Sequence, residues 1–198
     1  MAKREGPPCL IALEGNGPPL GTAARELLRA LKRGKRVGGI SKWDASGIFY
    51  EIQRGDMDLP APSARTLLLL YSADLVFRLR WEVQPFLDES KCVIVAPYVQ
   101  TAMAFGKASG LPGKWMRELF SFAPKPDASY RIPDVSGVAA WHGKASAGFL
   151  EFCCSAVPHA SRANAHETRA RAKAYLDSIG KRSGAAALTP EVLAELGQ

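Results

Sequence analysis

The chemically suggestive residues come early. Cys9-Leu10-Ile11-Ala12-Leu13 is a short apolar run, and Glu14-Gly15-Asn16-Gly17-Pro18-Pro19-Leu20-Gly21-Thr22 follows at once. An apolar strand, a glycine-rich turn and a helix in succession can cradle phosphate. In the pattern G-x-x-x-x-G-K-[ST], backbone N–H groups wrap the anion, the Lys reaches the outer phosphates, and the Ser or Thr holds Mg²⁺. Here Gly15 and Thr22 fit that register, but Leu20 replaces the second Gly and Gly21 replaces the Lys. Pro18 and Pro19 remove two N–H donors as well. Taken alone, the segment is a weak match, and a structural turn is its default reading. Thr22 then reads as a helix N-cap and Glu14 as structural. Other chemistries have less support. His142, His159 and His166 form no ligand spacing with Cys153-Cys154, and no G-x-S-x-G elbow occurs. The histidines read as polar surface, with no metal site and no catalytic residue assigned.

The elements that must position this loop alternate between strand and helix. Ala23 to Lys32 is an amphipathic pattern with Leu27, Leu28 and Leu31 on one face. Arg36 to Ser41 is a strand candidate weakened by Gly38 and Gly39, and Ser46 to Arg54 predicts a short helix. Ser63, a plausible N-cap, opens the longest helical stretch, to Phe86. In it Leu68, Tyr71, Leu75, Leu79, Val83 and Phe86 recur at spacings of three or four. Cys92 to Ala96 is a continuous apolar run, as a strand covered on both faces requires. Thr101 to Lys107 and Lys114 to Phe120 predict helices, and Asp127 to Ile132 a strand. Val135 to Trp141 reads as a short helix and Gly148 to Cys154 as a strand. Ala165 to Ile179 predicts a helix. A last one opens with Thr189 as N-cap and Pro190 at its first position. The alternation predicts a doubly wound α/β fold, a three-layer parallel sheet flanked by helices.

Composition bounds the reading. In 198 residues, 26 Lys and Arg stand against 19 Asp and Glu, a net charge of +7. Apolar residues make up 47% of the chain, enough for a core and too many for a disordered chain. No run approaches the roughly 18 apolar residues of a membrane-spanning helix. No secretory signal is read at the N-terminus, and four scattered Cys suit a reducing cytoplasm. The basic residues concentrate in Arg25 to Arg36 and Arg162 to Arg182, both on helical patterns without interleaved aromatics. They read as solvated helix faces, so nucleic acid is not an expected partner.

Several segments together resemble the thymidylate kinase family, P-loop enzymes that transfer phosphate from ATP to dTMP. Leu13-Glu14-Gly15 is similar to the family's strand end. Lys42-Trp43-Asp44 sits where the family has an Arg-containing segment. Leu69-Leu70-Tyr71-Ser72-Ala73-Asp74 resembles LLFAADR, and Gln84-Pro85-Phe86-Leu87 resembles the close of the same helix. Val93 to Tyr98 resembles VI-x-DRY, and Thr101 to Phe105 resembles S-x-x-AY. Leu111 to Trp115, Pro124 to Asp127, and Leu188-Thr189-Pro190-Glu191-Val192 continue the likeness, which spans about Leu10 to Leu196. It implies a P-loop kinase-like fold in one domain over residues 1–198, with a flexible lead at 1–8 and a degenerate lid at 143–165. It also implies a homodimer formed through helices.

The departures fall on the groups that handle phosphate. Gly21 replaces the loop Lys, Ala96 and Pro97 replace the Asp and Arg of DRY, and Leu75 replaces the Arg of AADR. Ahead of the lid, Ala140-Trp141-His142-Gly143 offers only His142 where the family presents Arg. Phosphoryl transfer is almost entirely positioning and charge stabilisation by such groups. The implied nucleotide-binding remnant is Gly15, Asn16, Gly17, Gly21 and Thr22. The implied nucleoside pocket is Tyr71, Tyr98, Thr101 and Phe105, with Tyr71 at the base-stacking Phe. Tyr71 reads equally as ordinary helix packing. The expectation is therefore a catalytically impaired kinase-like protein that binds a protein partner, or a nucleotide weakly. The alternative is a working kinase using ATP and Mg²⁺ through displaced cations such as Lys42, Arg78, Lys107 or Lys144. For Arg78 and Arg80 a solvated or partner-facing role is the expectation.

Overall fold

A computed structural model describes residues 7–34, 38–54, 62–132, 148–156, 162–183 and 187–197. Four described strands, β1 (Cys9–Glu14), β2 (Gly38–Lys42), β3 (Cys92–Ala96) and β4 (Ala128–Arg131), form a parallel sheet in the order β2-β3-β1-β4. Their side chains explain the continuous apolar runs. Along β1, Leu10 and Ala12 enter one core, whereas Ile11 and Leu13 enter the other. Along β3, Val93 and Val95 face the first core, and Cys92, Ile94 and Ala96 the second. Both faces are covered, so alternation disappears from the sequence. Burying each of Val93, Ile94 and Val95 contributes roughly 1.5–3 kcal/mol.

The second core is covered by α1 (Gly17–Arg33) and α9 (Pro190–Glu195). Lys32 and Arg33 close α1, where cations complement the helix dipole. The first core is covered by α2 (Ile48–Arg54), α3 (Ala64–Arg78), α5 (Val99–Ala108), α6 (Gly113–Leu119), α7 (Phe149–Ala156) and α8 (Arg162–Ser183). The predicted caps hold. Ser63 Oγ accepts from Thr66 N at 3.1 Å, and Thr189 Oγ1 accepts from Val192 N at 3.5 Å.

The long helical stretch is one rod with a defect. After α3, residues Leu79–Val83 form a π-helical turn, and α4 (Gln84–Asp88) completes the rod. The N–H of Gln84 reaches back to the carbonyl of Leu79, a five-residue step. The glycines of β2 also find a reason. A Cβ at Gly39 would come within 2.5 Å of the tip of the Phe86 ring of α4, so a larger residue there would force that ring to move.

One prediction is overturned. Where a strand is expected over Gly148 to Cys154, residues Phe149–Ala156 form the helix α7. Its apolar residues Phe149, Phe152 and Cys153 recur at steps of three and four and are all buried. Helical packing overrides the strand preference of Phe and Cys. The expected helix at Val135 to Trp141 lies outside the described residues. So do residues 1–6, His142, Lys144, His159 and most of the lid segment ahead of α7.

Candidate functional site

In an open α/β sheet, ligands bind beyond the carboxyl ends of strands where successive connections diverge. Here β1 leads towards β2 on one side, and β3 leads towards β4 on the other. The crevice is therefore framed by Gly15-Asn16-Gly17 after β1 and Pro97-Tyr98 after β3.

The first frame differs from a wrapped loop. Asn16 is the N-cap residue, and α1 begins at Gly17, six residues before the amphipathic pattern predicts. Pro18 and Pro19 fit the first helical turn, where amides have no intrahelical partner. Leu20 is 5% exposed and joins Ala23, Ala24 and Leu27 in the core. Thr22 is exposed in the second helical turn, accepting from Arg25 Nη2 at 3.3 Å, so its expected N-cap role is corrected. Gly21 sits on the same helix, with open space where a side chain would be. The five residues of the expected phosphate loop are thus divided. Gly15, Asn16 and Gly17 border the crevice, while Gly21 and Thr22 ride along α1.

Glu14 has a definite task. Its carboxylate accepts from Gln100 N (3.0 Å), Thr101 N (2.8 Å) and Thr101 Oγ1 (2.6 Å). These amides open α5, whose N-cap residue Tyr98 makes no side-chain cap bond. Glu14 therefore caps a helix 86 residues away. Thr101 Oγ1 in turn accepts from Gly15 N at 3.1 Å, tying the loop after β1 to α5. Burial pushes the Glu14 carboxyl above its ordinary range, opposed by the hydrogen bonds from Thr101 and Gln100.

The second frame is held from α3. Arg78, expected in solvent or at a partner surface, is fully buried. Its Nε lies 3.0 Å from Asp74 Oδ2, an ion contact without hydrogen-bond alignment. Nη1 donates to the Pro97 carbonyl (3.1 Å) and Nη2 to the Tyr71 hydroxyl (3.2 Å). That hydroxyl donates towards the carbonyls of Pro97 (3.0 Å) and Tyr98 (2.9 Å). Asp74 accepts from Asp44 N, Ser46 N and Ser46 Oγ at 2.8–3.0 Å, fastening the turn after β2. Burial pushes the Tyr71 hydroxyl far above its usual range, so it stays a neutral donor. Arg78 was readable in principle. Tyr71, Asp74 and Arg78 fall in phase along the buried side of α3, and the acid and base stand four residues apart.

Tyr71, Tyr98, Thr101 and Phe105, expected as a nucleoside pocket, are all buried near one another. The Tyr98 hydroxyl donates to the Pro124 carbonyl at 2.7 Å. The contact missing from the sequence reading is α7. Its Phe149 ring lies 4.3 Å from that of Tyr71 and 5.9 Å from that of Phe105. Asn16 Oδ1 accepts from Leu150 N at 3.1 Å, so the loop after β1 holds α7. Of the other cations considered, Lys42 is exposed at the end of β2, and Lys107 lies 4.2 Å over the Tyr175 ring. Arg80 is exposed over Trp81. His166 is exposed, and no cluster of three metal-ligating side chains occurs among the described residues.

No protein-family model matches the chain. A probable thymidylate kinase of Pyrococcus abyssi is 36% identical over 59 residues, 30% of this chain and 29% of that protein. One from Sulfurisphaera tokodaii is 34% identical over 66 residues, 33% of each. These alignments span a third or less of the curated relatives' length. A crystal structure of thymidylate kinase from Ehrlichia chaffeensis matches over 91% of this chain and 85% of that one. The TM-score is 0.66 and the sequence identity 15%. The fold of the chain is thymidylate kinase-like, with the parallel sheet and flanking helices of the P-loop kinase fold.

Proposed function

We propose that this thymidylate kinase-like chain no longer transfers phosphate and acts by binding a protein partner, or a nucleotide weakly. The helical course of Gly17 to Thr22 carries this reading, because it leaves no wrapped loop between β1 and α1. A triphosphate with Mg²⁺ does not fit the residues there. The Gly15 N–H is committed to Thr101, and the Asn16 side chain to Leu150. Pro18 and Pro19 have no N–H, and Gly21 offers no cation. Arg78 is committed to Asp74 and Pro97. With Ala96, Pro97 and Leu75 in place of the family's Asp and Arg residues, the charge stabilisation that phosphoryl transfer needs has no evident source among the described residues.

The same reading makes the chain a single-domain cytoplasmic homodimer. Among the described residues, no helix is long and apolar enough to cross a membrane. The outer side of the α3 rod presents Leu69 (48% exposed), Val76 (48%), Phe77 (39%) and Trp81 (62%). A second copy, related by a two-fold axis, could cover this stripe with its own. The test of the main reading is a phosphotransfer assay on pure protein with dTMP, ATP and Mg²⁺. Product at the level of a protein-free control is expected. Turnover on the order of 1 s⁻¹ or faster, ordinary for an enzyme, would overturn the reading.

A further inference from the structure

The amino end of the sheet, opposite the crevice, carries two cysteines. Cys9 opens β1 and Cys92 opens β3, and the two are direct partners in the parallel ladder. Two residues further along, Ile11 is the partner of Ile94 in the same register. Ile11, Ile94 and Cys92 enter the second core, and Cys9 packs against it, so both thiols lie on one face of the sheet. Side chains alternate between faces along a strand, so a slip of one residue would part them. The ladder holds to its end, because Cys9 N donates to the Lys91 carbonyl at 3.3 Å. On the far flank of Cys92 the registered residue is Gly38, which adds no side chain to this row.

Neighbouring strands lie about 4.8 Å apart, inside the span of about 4.4–6.8 Å between Cα atoms that a disulfide bridges. That spacing is towards the short side of the span, where the bond carries strain and is more easily reduced. Both residues are thiols here, and they differ in access. Cys92 is 2% exposed, whereas Cys9 is partly open at the start of β1. An accessible thiol beside a buried one is the arrangement of an attacking and a resolving cysteine. Cys153 is buried in the first core, on the other side of the sheet.

We propose that Cys9 and Cys92 form a reversible redox site whose oxidant is a small-molecule disulfide of the glutathione type. The Cys9 thiolate attacks one sulfur of that disulfide, forming a mixed disulfide and expelling one glutathione thiolate. The Cys92 sulfur then attacks the Cys9 sulfur and gives its proton to the second glutathione as that group departs. Two protein thiols are oxidised, and one glutathione disulfide is reduced to two thiols. Excess reduced glutathione runs the exchange backwards. The bridge ties β1 to β3 and closes the chain between them into a loop. It is a transient bond of the kind that reducing compartments allow. It lies at the far end of the sheet from the crevice and does not rest on the loss of phosphotransfer.

The experiment incubates full-length protein with oxidised glutathione, quenches with acid, alkylates the remaining thiols and maps the peptides by mass. A Cys9–Cys92 linkage, lighter by two hydrogens, is expected, and reduced glutathione should remove it. Cys92→Ala should stop at a glutathione adduct on Cys9, and Cys9→Ser should leave Cys92 unmodified. At one ratio of oxidised to reduced glutathione, the equilibrium constant for the linkage should be at least about tenfold larger in buffer than in denaturing urea. A wild-type reaction that ends at the Cys9 adduct would overturn the proposal. So would no reaction at all, or a linkage of Cys9 to any other cysteine in place of Cys92. An equal equilibrium constant in urea would overturn it too, because the strands would then contribute nothing to the pairing. Should Cys92→Ala not fold, the wild-type map and the urea comparison decide without it.

Discussion

The crevice and the outer side of α3 invert the usual arrangement of polar and apolar groups. Inside the fold, Glu14, Asp74, Arg78 and Thr101 are buried. Outside, Leu69, Val76, Phe77 and Trp81 face solvent. The inner groups link segments distant in sequence, each polar group meeting a backbone or side-chain partner. Among the described residues the outer groups stay open to solvent, with Arg80 lying over the Trp81 ring. The contrast teaches that polarity alone locates neither core nor surface. A buried charge is sustained by its cross-links, and an exposed apolar stripe is a candidate face for the second copy proposed above.

The inner network should break hardest at Arg78. Replacing Arg78 by Met strands Asp74 in the interior, and urea unfolding should register a loss of about 3–5 kcal/mol. Adding Asp74→Leu should recover part of that loss. Recovery stays incomplete because Asp44 N, Ser46 N and Ser46 Oγ lose their acceptor. A loss under 1 kcal/mol for Arg78→Met, on the scale of an exposed ion pair, would erase the contrast.

Glu14→Gln comes next, with an expected cost of about 1–3 kcal/mol from the imperfectly replaced acceptor. Its pH dependence sharpens the argument. Burial raises the carboxyl above its ordinary 4.5, so the folded state binds a proton more readily than the unfolded chain. Glu14 then contributes most stability below the unfolded value and less as pH rises through the folded one. Gln does not titrate. The wild-type advantage over Glu14→Gln, measured by unfolding at a series of pH values, should shrink as pH climbs. A constant gap would mean that burial does not govern this carboxyl.

The outer stripe should behave oppositely. Trp81→Glu should change the stability of the monomer by no more than about 0.5 kcal/mol. It should nevertheless shift the mass measured by light scattering from dimer to monomer. If wild type is already monomeric, the stripe is not a self-association face.

Much of this architecture is legible without coordinates. The run Cys92 to Ala96 has the length and continuous apolar character that suit a doubly covered strand, and Ser63 and Thr189 mark helix starts by side-chain chemistry. The site is less legible. Pro18 and Pro19 signal a broken loop or a first helical turn equally well, and only the burial of Leu20 decides. Phe149 to Cys153 suits a strand or a helix until its aromatic neighbours are known. Arg78 looks like surface because long cations usually are, and its partners at Pro97 and Tyr71 arise from tertiary placement. Where pattern and environment agree the sequence suffices, and where distant contacts settle the matter it does not.

The widened turn at Leu79–Val83 has a consequence for chain length itself. Each residue of an α-helix rotates the chain by about 100°, so one surplus residue re-aims everything after it. Tyr71, Leu75 and Arg78 point inward before the turn, and Val83 does so five residues after Arg78. Phe86 can therefore meet Gly39 while Arg78 meets Pro97. Deleting one residue from this stretch would alter no motif and remove no catalytic group. It would rotate one end of the rod out of phase with the other, so that the anchored loop and the glycine-bearing strand edge could not both be served.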